Sequence, residues 1–404
     1  MKKFVTLLFA AVIVLFVGYM GFEAYSEFMG NYGTVFAFNE IEETTEAATE
    51  TTTEETTETT TSFTEINLMM VGDMLAHEGV YGSGRQDDGT YNFDHLFTHI
   101  KDDIQNADMA IVNQEVILGG TELGLSAYPL FNSPTELGDS IAAAGFNIVL
   151  HATNHTLDKG AQGVDNTINF WKTKHPDVAF LGIHDTQEDY DERSVYYFEK
   201  QGLRVAVMNY TYGTNGIPIP SGREYIINLL DEEKIKADMA AAKENADFII
   251  VCPHWGTEYV TSATESEKQW AQFFSDNGAD LIIGTHPHVI QQVETITGAN
   301  GNSTLVFYSL GNFVSNQDTN LTMLGAMAKV TISNEGGNAH IKDYEAVPLV
   351  THMLFGKGLI TTYRLSDYTP EHAAENKIHL YDGGFTIDWL KETSRSVLGS
   401  AYKE

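Results

Sequence analysis

The chain has 404 residues and a formal net charge of −33, with 23 basic against 56 acidic side chains. Residues 1–65 hold 11 acids and 2 bases, so the remainder still carries a formal −24, which argues against nucleic acid or an anionic membrane surface as a partner. A hydrophobic fraction of 43% with 35 glycines fits a globular α/β protein with many tight turns, and the single cysteine, Cys252, excludes an intramolecular disulfide.

Lys2 and Lys3 precede a nearly unbroken apolar run, Phe4–Phe22. A helix over that run would span roughly 28 Å, about the thickness of a bilayer core. The lysines favour the cytoplasmic side. Residues 1–22 are therefore expected to be a single-pass anchor in the cell membrane, with the rest of the chain outside the cytoplasm. A cleaved signal peptide is the competing reading, although no A-x-A site follows the run. Residues 23–65 read as a juxtamembrane segment and then a tether, Glu40–Glu65, made almost wholly of Thr and Glu. Such a segment has nothing with which to build a core, so it is expected to be disordered, as a spacer or a stalk.

A folded domain is expected over 66–350. Its apolar runs read as strands at Asn67–Val71, Met109–Val112, Phe146–Leu150, Val178–Leu181, Arg204–Asn209, Phe248–Val251, Leu281–Ile283 and Thr304–Tyr308. Helical patterns lie between them at Asp94–Asn106, Ser133–Ala144, Gln162–Lys174, Asp231–Glu244 and Ser266–Asn277. This alternation predicts an α/β fold. EYI at Glu224–Ile226 suggests an extra extended piece, and Met327–Ser333 with Ala339–Leu349 around an NEGGN turn predicts a hairpin. Residues 351–404 read as a helical extension packed on the domain.

Five strands end in side chains suited to chemistry. The first ends in GDMLAH (Gly72–His77), the second in NQE (Asn113–Glu115) and the third in HATNHTLDKG (His151–Gly160), which carries Asn154, His155 and Asp158. The other two end in CPHWG (Cys252–Gly256) and GTHPH (Gly284–His288). Ligands of α/β sheets gather outside the carboxyl ends of the strands, so these tips predict one converging site. Pro287 would hold the backbone between His286 and His288 extended, placing both imidazoles on one side. Nitrogen and oxygen donors without an obvious thiolate suit one or two divalent ions: Mn²⁺, Zn²⁺, Fe or Mg²⁺. Cys252 reads as a small buried hydrophobe. Asn312, in SLGNF (Ser309–Phe313), could hydrogen-bond a ligand, Glu258 lies just beyond His254, and Arg223 is a candidate for holding an anionic substrate.

The ordered set VGDMLAH, NQE, TNHTLDKG, NYTYGTNG, HWGTEY, GTHPHV and YSLGNFV resembles the capsule-synthesis protein A family, associated with poly-γ-glutamate synthesis, over about Asn67–Phe313. That family is similar to the calcineurin-like metallophosphoesterases, which implies a four-layer α/β/β/α sandwich with a dinuclear metal centre. On this resemblance Asp73 matches the first motif, Glu115 the second, Asn154-His155 the GNH motif, His254 the fourth and His286/His288 the last. It implies that Asn154 is a metal ligand, while His155 assists the leaving group; Asp158, in the same turn, is a further catalytic candidate. Three positions depart from the pattern, one of them Thr153, where relatives of this family often show a second Asn before Asn154. Leu75 stands where the first motif has a histidine, with His77 displaced, and Glu115 stands where a bridging Asp is usual.

Two functions are then expected as alternatives. One is a metal-dependent hydrolase or transferase on a surface polymer or its precursor, poly-γ-glutamate-like, or more generally a surface phosphoesterase. The other is a non-catalytic polymer-binding subunit of a membrane synthase. The domain's charge of −24 repels a polyglutamate chain, so only a local cationic spot could draw it in.

Overall fold

The central strands of this chain are buried on both faces, as in Met109–Gln114, Ile148–Leu150, Phe248–His254 and Leu281–Ile283, because their sheets are covered on both sides. The computed structural model describes residues 63–354 and 359–404; the predicted anchor and nearly all of the tether lie outside the described residues. Fourteen strands are described: β1 (Glu65–Met74), β2 (Met109–Gln114), β3 (Ile148–Leu150), β4 (Ala179–Leu181), β5 (Tyr196–Lys200), β6 (Leu203–Thr211) and β7 (Phe248–His254), followed by β8 (Leu281–Ile283), β9 (Val293–Thr297), β10 (Ser303–Phe307), β11 (Asn312–Val314), β12 (Leu324–Ser333), β13 (His340–Met353) and β14 (Ile360–Arg364). The helices are α1 (Glu78–Gly84), α2 (Lys101–Asn106), α3 (Glu136–Ala144), α4 (Gly160–Lys174), α5 (Gln187–Arg193), α6 (Glu232–Asn245), α7 (Glu265–Asp276), α8 (Pro370–Glu375) and α9 (Ile387–Leu398).

The strands form two mixed sheets. One runs β14-β13-β12-β1-β2-β3-β4, with β11 paired to the end of β1, and the other runs β5-β6-β7-β8-β10-β9. Within them β1 to β4 run parallel to one another, as do β6 to β8, whereas β1–β12 and β5–β6 pair antiparallel. Period-2 geometry sorts the side chains of β7. Phe248, Ile250 and Cys252 enter a core shared with the first sheet, whereas Ile249 and Val251 face a second core with Ile235 and Met239 of α6 and Phe274 of α7. The two sheets touch directly where Cys252 Sγ lies 3.9 Å from Met70 Sδ.

The described helices from α5 onward begin at side chains that satisfy their first amide groups. Asp231 caps α6 through the Glu233 and Lys234 N–H groups, and Thr264 with Glu267 forms a capping box on α7. Gly145 ends α3 at φ 115°, a conformation that favours glycine. The expected helix Asp94–Asn106 is instead a 3₁₀ turn, Asp94–Phe97, followed by α2. Glu224–Ile226 joins no strand; the residues just after it supply two isolated bridges, Ile183 to Ile227 and Thr211 to Leu229. The segment after Thr351 is not wholly helical, since β14 completes the edge of the first sheet before α8 and α9. Ile378, Leu390 and Leu398 of that segment reach the shared core.

Glycine at position 72 is what allows β11 to close against the tip of β1. A Cβ there would lie 1.9 Å from the Gly311 carbonyl oxygen, while the Asp73 N–H donates to that same oxygen at 3.0 Å. The turn seats Asp73 at the sheet edge.

Candidate functional site

The parallel strands deliver their carboxyl ends to a single edge. Asp73 stands near the end of β1, Glu115 just past β2, His254 at the end of β7, His286 and His288 after β8, and Asn312 at the start of β11. The loop after β3 adds Asn154 and His155. All eight side chains are at most 6% exposed.

Asp73 organises the cluster. Its Oδ1 accepts from Asn113 Nδ2 at 2.8 Å, and its Oδ2 lies 3.1 Å from His288 Nδ1 and accepts the His286 N–H at 3.3 Å. Asn154 Oδ1 lies 2.8 Å from His254 Nε2, and Thr285 Oγ1 lies 3.0 Å from His254 Nδ1. Glu115 Oε1 sits 3.8 Å from the Nε2 atoms of both His254 and His288. Ligand atoms of Glu115, His286 and His288 all fall within 4.8 Å of one another. The histidine pair does not converge by extended geometry. His286 and His288 have φ of 101° and 59°, so two left-handed residues around Pro287 turn both rings into the cluster, their centroids 5.9 Å apart. Such conformations cost about 1–3 kcal/mol each and persist where the surroundings enforce them.

The electrostatics follow from burial. Burial pushes Glu115 well above the usual carboxylate range; His288 opposes the shift and Asp73 adds to it. Burial also pulls His254 and His286 well below the ordinary imidazole value, so both are neutral donors. For His288 burial again acts downward, but Glu115 and Asp73 outweigh it and hold the ring at about 9.

Several of these atoms have no protein partner. Both Glu115 oxygens, Asn113 Oδ1 and His286 Nδ1 are buried without a hydrogen bond. A carboxylate retained there without hydrogen bonds costs several kcal/mol unless a cation faces it; the protonated His288 ring at 3.8 Å is one such cation, and a metal ion held by the same cluster would be a stronger one. Imidazole nitrogens with carboxylate and amide oxygens fit a divalent ion such as Mn²⁺, Zn²⁺, Fe or Mg²⁺.

Beside the cluster, His155 Nδ1 lies 2.7 Å from Asp158 Oδ2, which also accepts the Phe131 N–H at 2.7 Å. The Phe131 ring packs edge-on against His155, with centroids 4.7 Å apart, and against His77 at 5.1 Å. His77 therefore stands beside His155, outside the Glu115–His286–His288 group. Burial first, then His288, lowers it to about 4.

Two residues expected at the substrate have other tasks. Arg223 grips Asp165 of α4 through both Nη atoms, at 3.0 and 2.6 Å, so its charge is already committed. Asn312 is buried, and its Oδ1 lies 3.1 Å from His288 Nδ1 while its Nδ2 is held by Ser315, Gln317 and the Thr322 carbonyl. It orients a histidine. Glu258 is exposed, and its charge acts on Glu115 and His288 from the rim. His151, in the same loop, accepts from Trp171 Nε1 at 2.8 Å and is structural.

The sequence reading missed Asn113, Thr285, Asn215, Tyr212 and Tyr259. All five lie inside the motifs NQE, NYTYGTNG, HWGTEY and GTHPHV, and the place of Asn113 beside Glu115 at a parallel strand end is the available signal. Tyr212 lies against His286 at 4.6 Å between centroids, and Tyr259 stands 6.0 Å from His288.

Residues 67–317 match the family model described as bacterial capsule synthesis protein PGA_cap. The chain is 29% identical over 217 residues to the PGA biosynthesis protein CapA of Bacillus subtilis (strain 168), covering 51% of each chain. It is 27% identical over 280 residues to the capsule biosynthesis protein CapA of Bacillus anthracis, covering 67% of this chain and 65% of that one. The matches thus span about half to two thirds of those relatives. Among solved structures, Haemophilus influenzae NAD nucleotidase (NadN) aligns at TM-score 0.48 and 12% identity, over 85% of this chain and 64% of that one. The calcineurin-like phosphoesterase YfkN of Bacillus subtilis aligns at TM-score 0.40 and 13% identity, over 70% of this chain and 91% of that one.

Proposed function

From the premise that the chain belongs to the bacterial capsule synthesis protein family PGA_cap, we propose that it is a metal-dependent hydrolase or transferase. Its substrate would be a capsular polymer of the poly-γ-glutamate kind, or its precursor. In this reading residues 1–22 anchor it in the cell membrane and the domain works outside the cytoplasm. The observation that carries the chemistry is the buried, unpartnered Glu115 carboxylate set against His254, His286 and His288, with the His155–Asp158 pair alongside. Two facing sheets with helices outside them support an α/β/β/α sandwich of the metallophosphoesterase kind.

Asp73, Glu115, Asn154, His254, His286 and His288 would hold the metal, whether one ion or two. When bound, it supplies Lewis acidity to the scissile bond and makes water more acidic. The protein's own groups do the rest. Asp73 and Asn312 both engage His288 Nδ1, which leaves Nε2 free for coordination. Asp158 fixes His155 through Nδ1, so Nε2 is the atom available to pass a proton to the leaving group. Phe131 and Asn215 hold that ring from its edge and its Nδ1 side.

The test is a contrast between two variants of the purified protein. His288→Ala should lose metal, measured by elemental analysis. His155→Ala should keep it and lose roughly 10²–10⁴-fold in turnover on γ-glutamyl peptides or phosphoesters, the usual worth of a general acid. If His155→Ala supports full polymer production in cells while His288→Ala does not, the catalytic reading fails. A polymer-binding subunit of a membrane synthase then stands in its place.

A further inference from the structure

The mouth of the site is lined by aromatic rings and acids. Tyr212 is 45% exposed and Tyr259 52% exposed, yet each ring lies against a cluster histidine, Tyr212 on His286 and Tyr259 on His288. Both rings therefore sit between the cluster and solvent. Tyr259 is fixed there: its backbone has φ 65°, its N–H donates to the Pro287 carbonyl at 2.8 Å, and its Oη accepts from Gln317 Nε2 at 3.2 Å. Two exposed carboxylates act on this rim. Exposed Glu258 acts on Tyr212, Tyr259, Glu115 and His288, and exposed Asp318 acts on Tyr259 and His77. Arg223, the cation expected to greet an anionic substrate, is engaged with Asp165.

Exposed tyrosine rings with carboxylates acting on them attract cations and repel anions. If the cluster histidines hold a metal, that metal would favour anions while the rim beside it favours cations, the Tyr212 and Tyr259 ring centroids lying 4.6 and 6.0 Å from those of His286 and His288. We infer that the mouth selects substrates bearing an ammonium group a short spacer away from the group held at the metal, with Tyr212, Tyr259 and Glu258 as the selecting residues. This rests on the metal-centre reading above. It also separates the two parts of a polyanionic product: the chain's carboxylates are turned away at the rim, and an amino-bearing end or acceptor is admitted.

The test compares two ligands that differ only in the ammonium. The full-length chain, purified in detergent and loaded with Mn²⁺, is titrated calorimetrically with O-phosphorylethanolamine and with ethyl phosphate. The first should bind about ten-fold more tightly. Glu258→Gln and Tyr259→Leu should each reduce that preference several-fold while metal content and melting temperature stay at wild-type values. Equal binding, tighter binding of ethyl phosphate, or no binding of either to metal-loaded protein overturns the inference. A second arm needs no metal: tetramethylammonium should show saturation-transfer contact with tyrosine rings in the metal-free chain, and Glu258→Lys should abolish it. If manganese fails to load but this contact is present, the metal reading fails and the rim stands. If manganese loads and the contact is missing, the rim is wrong and the metal centre stands.

Discussion

Asp103 on α2 and Glu115 beyond β2 are both buried carboxylates, 9% and 1% exposed, yet the protein treats them in opposite ways. Asp103 is surrounded by its own cations. Its Oδ1 lies 2.8 Å from Lys329 Nζ, and its Oδ2 takes Arg364 Nε at 2.7 Å and Nη2 at 2.5 Å. That network ties α2 to β12 and β14 and is complete within the chain. Glu115 meets imidazoles at 3.8 Å and has no hydrogen bond to either oxygen. A buried charge neutralised by the fold is architecture. One left for something outside the chain is a binding site, and the difference is legible in the partners rather than in the depth of burial.

The largest way to break this contrast is to supply or remove the missing partner. If Glu115 awaits a metal, chelation should lower the unfolding free energy by about 3–4 kcal/mol when the ion stands at 100–1,000 times its Kd. Glu115→Gln should bind no metal and show no response to chelator in urea titrations. A wild-type protein indifferent to chelator would erase the distinction. The next effect belongs to the other carboxylate. Asp103→Asn leaves Lys329 and Arg364 unbalanced, and because both cations are about a third exposed the cost should be roughly 2 kcal/mol, with or without chelator.

The smallest effect is a pH slope confined to metal-free protein. His288 is raised to about 9 in the folded state, so its contribution is fully present below the ordinary value of 6.5 and lost as pH rises through 9. Glu115 is also raised, so its contribution is likewise lost with rising pH. The two add in sign, and across the window set by His288, pH 6.5 to 9, the unfolding free energy measured by urea titration should fall by on the order of 1 kcal/mol. His288→Gln should flatten the slope; a slope that survives would place its origin elsewhere.

Much of the site was legible in the sequence because parallel strands obey a local rule. A strand followed by a polar tip places that tip at the carboxyl edge, and Asp73, Glu115, Asn154, His254 and His286/His288 each carried that signature on their own. What stayed hidden depended on pairing over distance. The Arg223–Asp165 bond joins segments 58 residues apart, and no local pattern shows that the guanidinium is already spent. The turning of His286 and His288 was misread for a related reason: Pro287 suggests extension, but the Asp73 carboxylate and the packed loop enforce left-handed backbone on either side of it. Edge strands β5 and β9 escaped because their residues are half exposed and their pattern is weak. The role of Asn312 was mistaken because a strand-tip amide looks the same whether it binds a ligand or steers a histidine.

The contact between Cys252 and Met70 has a use beyond packing. The thiol is 1% exposed between the two sheets, and burial raises its pKa far above the ordinary value, so no thiolate is presented to solvent while the sheets stay together. It is also the only cysteine in the chain. A thiol reagent can therefore label the native protein only when the layers part, and the labelling rate reports that opening without any introduced probe. Because the site draws ligands from both sheets, a bound metal should close the same seam and slow the labelling. Equal rates with and without metal would mean that the layers separate independently of the centre built across them.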